Sequence, residues 1–93
     1  AQRMQTMMHL LEKVAFTRVE TRLAEHLLAL SAAAAGADIR ITQSELATRV
    51  GTAREVVSRR LDAWARHGWV RTGRGTIAVT DAEALRAIAE NAG

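Results

Sequence analysis

The chain has 93 residues, 48% hydrophobic and 25% charged, with a net charge of +3. That supports one small domain with a single core and excludes both a disordered chain and a second core. It has no cysteine, which excludes a disulfide framework and thiolate metal ligation, and no apolar run approaching the roughly 20 residues that span a bilayer.

Phe16, Trp64 and Trp69 are the only aromatics, so the core must be built from Leu, Val, Ile and Ala. No signal peptide is visible, and a cytoplasmic location is expected. The chain begins at Ala1 rather than Met, as a fragment or a processed product would.

Residues Ala1–Ala15 read as a separate helical piece. Met4, Met8, Leu11 and Ala15 recur at helical spacing, with Met7, Leu10 and Val14 widening the stripe. The stripe either packs on the first core helix or pairs with its copy in a dimer. The second is favoured, because so small a domain offers the stripe little internal cover. Four Thr-x-x-Glu boxes follow: Thr17–Glu20, Thr42–Glu45, Thr52–Glu55 and Thr80–Glu83. In such a box threonine caps the first turn while glutamate reaches back to the cap's own N–H, so four helix starts are predicted.

The first helix is predicted from about Arg18 to Ala34, with Val19, Leu23, Leu27 and Leu30 forming one buried face and Gly36 ending it. Asp38–Ile41 is a short strand candidate, with Ile39 and Ile41 on one side. Helix two is Gln43–Val50, and Gly51 takes a sharp turn. Helix three runs from Ala53 to about His67 and stops at Gly68. Trp69–Thr72 and Thr76–Thr80 then read as a β-hairpin around Gly73-Arg74-Gly75, and Asp81–Asn91 as a last helix with Leu85 and Ile88 facing inward.

Charge is unevenly placed along these elements. Seven arginines against three carboxylates lie between Thr42 and Gly75, a net of +4, while the rest of the chain carries −1. Twelve of the thirteen basic residues are arginine, the type suited to bidentate contact with phosphate and guanine.

Helix three divides by face at about 100° per residue. Val57, Leu61 and Trp64 lie on one side, flanked by Val56 and Ala65; Arg54, Glu55, Ser58, Arg59 and Asp62 lie on the other. The first side anchors the helix and the second can enter the major groove. There arginine donates to guanine O6 and N7, glutamate accepts from cytosine N4–H, and serine serves either role. Each residue also has an ordinary structural explanation. An Arg/Glu-rich face can be a solvated surface. Glu55 can serve its capping box. Thr42, Ser44 and Thr52 can cap helices instead of donating to phosphates. Arg74 at the hairpin tip can be idle. Arg60 lies at the boundary of the faces, where its stem can line the core while its head meets phosphate.

These residues resemble the DNA-binding region of the Crp–Fnr family of bacterial transcription regulators, over nearly the whole chain. FTRVETRLAEHLL from Phe16 is similar to the family's first helix after the hinge. ITQSELATRVGTAREVVSRRL is similar to its helix-turn-helix, and GWVRTGRGTIAVTDAEAL to its wing and closing helix. The implied fold is mainly α with a small β-hairpin, a winged helix-turn-helix with a three-helix core, a wing and a closing C-terminal helix. The resemblance divides the chain into residues 1–15, the end of a dimerisation helix and hinge bearing Met4, Met8 and Leu11, and residues 16–93, the DNA-binding domain.

The same resemblance implies base contacts by Arg54, Glu55, Ser58 and Arg59, with Thr42, Ser44 and Thr52 near the DNA backbone; Arg60 and Arg74 are further backbone candidates. Arg60 is more polar than the residue often found there, and Asp62 adds a negative charge to the outer face. The family's β-barrel sensor domain has no counterpart in these residues, so no cofactor is expected here and the effector is unknown. Expected partners are double-stranded DNA carrying an inverted repeat, a second copy in the full-length protein, and RNA polymerase as a further candidate.

An enzyme is not expected. His9, His26 and His67 lie on different elements, and no Gly-rich phosphate loop, HExxH pair or nucleophile–base arrangement is present. The alternative is a winged-helix protein–protein module, which would need an apolar patch on helix three where this sequence has arginines.

Overall fold

A computed structural model describes the backbone of residues 2–90 and the side chains of residues 18–90. The element order is α1 (Gln2–Ala33), β1 (Ile39–Arg40), α2 (Gln43–Val50), α3 (Arg54–Arg66), β2 (Val70–Gly73), β3 (Thr76–Val79) and α4 (Ala82–Glu90).

The first helix starts earlier than the predicted Arg18. α1 is one continuous helix of 32 residues that runs through the anticipated hinge. No glycine or proline occurs before Gly36, so nothing in the sequence forces a break near residue 16. The Thr17–Glu20 box therefore starts no helix, and Glu20 turns to another partner described below. The side chains of Met4, Met8 and Leu11, expected at a dimer contact, lie outside the described residues.

Of the three remaining boxes, one forms. The Thr42 Oγ1 accepts from the Glu45 N–H at 3.0 Å and donates to Glu45 Oε1 at 3.1 Å, so the carboxylate engages the cap's hydroxyl rather than its N–H. α3 is instead capped by the extended backbone of Ala53, without a side-chain cap bond, and Thr52 lies one residue too early. α4 is capped by Asp81, whose Oδ1 accepts from the Ala84 N–H at 3.1 Å. Thr80 gives its hydroxyl to the Gly68 carbonyl at 2.6 Å.

The α2–α3 turn is as anticipated. Gly51 sits at φ 85°, ψ 40°, and both its N–H and that of Thr52 donate to the Ala47 carbonyl. This left-handed backbone strains any residue with a Cβ, so glycine is the inexpensive choice.

The wing is larger than a hairpin. β2 and β3 pair antiparallel, Val70 opposite Val79 and Gly73 opposite Thr76, but β1 joins on the other side, Ile39 opposite Ile77, giving the order β1-β3-β2. A Cβ at Gly73 would lie 2.6 Å from Thr76 Oγ1, so a larger residue at this strand end would make the Thr76 side chain shift.

A single core joins all the elements. Leu23, Ala24 and Leu27 of α1 meet Leu46, Ala47 and Val50 of α2, Val57, Leu61 and Trp64 of α3, Val70 and Ile77 of the sheet, and Leu85 of α4. Ile39 and Ile41 are both buried, as their shared side predicted, while Val19, Leu30 and Ile88 pack at its margin.

Candidate nucleic-acid interface

The interface is built on α3. Val57 and Leu61 are fully buried and Trp64 nearly so, at spacings of four and three residues along one stripe. Burying side chains of this size contributes about 1.5–3 kcal/mol each, so the helix has one rotational setting. That setting turns Arg54, Glu55, Arg59 and Asp62 outward to solvent and leaves Ser58 half-buried.

Among the described residues, no side-chain hydrogen bond or ion pair engages Arg54, Glu55 or Arg59. The displaced cap matters here. With Ala53 as N-cap, Glu55 is the second helical residue rather than the third, so it is not the glutamate of a capping box. Arg54 occupies the first helical position, where the helix dipole favours an anion. A cation placed against the local preference and left without an internal partner is suited to meeting an external anion or acceptor.

Arg60 is engaged within the fold. Its Nη1 lies 2.8 Å from Glu20 Oε1, with both side chains about three-quarters buried. The guanidinium therefore ties α3 to α1, a role the sequence reading did not include. Glu20, read from the sequence as a capping residue, gains this pairing role.

The elements around α3 supply a second feature. A cleft lined by Thr42, Gln43, Ser44, Arg54, Gly73 and Gly75 brings together the start of α2, the start of α3 and the tip of the wing. Thr42 and Ser44 are thus beside Arg54. Thr52 is half-buried at the turn, and Arg74 is exposed at the hairpin tip. Nearby, Arg71 of β2 pairs with Asp38 at 3.1 Å across an exposed surface.

Ser58 is not isolated. Its hydroxyl donates to Gln43 Oε1, linking α3 to the first residue of α2. Gln43 was missed from sequence. It sits between the cap Thr42 and Ser44, and its only signal was the helix-start position.

The chain matches the model of the Crp-like helix-turn-helix domain over residues 21–88. It is 34% identical over 89 residues to the transcriptional regulator SdrP and 42% identical over 79 residues to the cyclic AMP receptor protein, both of Thermus thermophilus, covering 89% and 85% of this chain. It spans 44% and 37% of those proteins, less than half their length. The crystal structure of the Thermus thermophilus catabolite activator protein superposes with a TM-score of 0.86 at 38% identity, over all of this chain and 44% of that one. A CRP/FNR-family transcriptional regulator from the same organism gives a TM-score of 0.75 at 32% identity, over 99% of this chain and 50% of the other. With matching residues, element order and an outward arginine face in agreement, the chain belongs to the Crp-like helix-turn-helix family and is a winged DNA-binding domain of the kind carried by Crp–Fnr transcription regulators.

Proposed function

We propose that this domain reads duplex DNA with α3 in the major groove, Arg54 and Arg59 on guanines, Glu55 on a cytosine and Ser58 beside them. Thr42, Ser44, Thr52 and Arg74 lie near the sugar–phosphate backbone and set the register. Because Thr42 already uses its hydroxyl in the cap, its part is to fix the start of α2 beside the phosphates. In the full-length protein, two copies joined through the helix to which α1 belongs, with Met4, Met8 and Leu11 at the contact, bind an inverted repeat. Its half-sites lie about one helical turn, ~34 Å, apart. The protein acts in the cytoplasm as a regulator rather than an enzyme, with RNA polymerase as the partner that receives the bound complex.

One observation carries this reading: three charged side chains, exposed and uncommitted, stand on a helix locked from behind by Val57, Leu61 and Trp64. An apolar docking face for a protein is not what α3 presents. Selection of bound duplexes from a random pool tests the reading. An enriched half-site with G·C pairs lost on Arg54→Ala or Arg59→Ala is expected; retention of duplexes without any sequence preference would overturn it.

A further inference from the structure

Ser58 has one proton to give and two lone pairs to offer. Its proton points to Gln43 Oε1, and while that bond is kept Ser58 offers its lone pairs as an acceptor. Both side chains are half-buried, which holds the pair in place while leaving one side open. Among the described residues the Gln43 side chain has no other hydrogen-bond partner, and Gln43 lines the same cleft as Arg54.

A serine free to rotate would accept from a base amino group or donate to a base carbonyl, and so would discriminate poorly. We propose that Gln43 is a positioning residue that makes Ser58 a fixed hydrogen-bond acceptor, so that Ser58 reads the exocyclic amino group of adenine or cytosine. Specificity at that base position then belongs to a pair spanning two helices and not to α3 alone. This inference rests on the major-groove reading above and adds a residue and a polarity to it.

The test uses the selected half-site and this full chain. Ser58→Ala identifies the base position that depends on the hydroxyl. Gln43→Ala is expected to relax preference at that same position by about 5-fold, the effect of one hydrogen bond. Ser58→Ala and the double variant should be alike there, since Gln43 acts through Ser58. Gln43→Glu keeps an acceptor for the hydroxyl and should retain the preference at that position. Removing the amino group from the base, as with purine in place of adenine, should weaken wild-type binding and leave Ser58→Ala unaffected. All variants are compared at equal thermal stability, which a half-buried surface pair should preserve. If Gln43→Ala shifts a different position, if the two substitutions are additive, or if loss of the amino group is without effect on the wild type, the inference fails while the DNA reading stands. If the wild-type chain selects no sequence, both fail.

Discussion

Replacing Gly51 by alanine isolates the conformational cost of the α2–α3 turn. The residue sits at φ +85°, and a Cβ built there meets nothing within 4 Å, so packing contributes no penalty. Holding an L-residue in the left-handed region costs about 1–2 kcal/mol. Alanine's smaller unfolded-state entropy returns about 0.4–1 kcal/mol of that. The expected net loss is about 1 kcal/mol, or a fall in Tm of about 4–8 °C for a domain of this size. Gly51→Asn should lose less, since asparagine tolerates this region better. Urea denaturation of the three proteins, with slopes compared, gives the values. The DNA half-site preference should be unchanged in both variants, because α3 remains anchored by its buried stripe. An alanine variant more stable than the wild type would refute the left-handed turn. A loss above about 3 kcal/mol would show that the added Cβ meets its surroundings after all.

Further outcomes follow from burial and pairing. Leu61→Ala, at a fully buried position, should cost about 2–5 kcal/mol in denaturant, whereas Arg71→Ala should change stability by less than about 1 kcal/mol, because its pair with Asp38 is well exposed. Arg60→Ala should destabilise more than Arg71→Ala yet leave the salt dependence of DNA binding unaltered; a log–log slope shallower by about 0.9 would mean that Arg60 contacts phosphate. Asp62→Asn, removing a charge from the outward face of α3, should tighten binding to any duplex; unchanged affinity in a fluorescence-anisotropy titration would place Asp62 away from the backbone.

Local patterns carried much of this structure in the sequence. The α2 span, the Gly51 turn and the buried stripe of α3 followed from spacing and one glycine, because each depends on residues a few positions apart. Capping boxes were less dependable. Thr52 and Thr80 carry the right pattern, but the chain leaves Gly51 in a direction that makes Ala53 the cap, and Thr80 is drawn to the Gly68 carbonyl of the preceding connection. The strand at Asp38–Ile41 was legible, but its pairing with β3 was not, because β1 is two residues long and its partner is far along the chain. The same limit applies to the site. Arg54, Glu55 and Arg59 are legible as a helical face. Glu20–Arg60 and Gln43–Ser58 are pairings between elements, invisible to periodicity because tertiary packing alone brings them together.

The most direct measurement compares affinities of wild type and Arg59→Ala for the selected half-site and for a random-sequence duplex at one salt concentration. A base-reading arginine should lose roughly 5- to 150-fold on the half-site, corresponding to about 1–3 kcal/mol, and only a few-fold on the random duplex. Equal losses on both duplexes would reduce Arg59 to a phosphate contact and contradict base reading by that residue on the exposed face of α3.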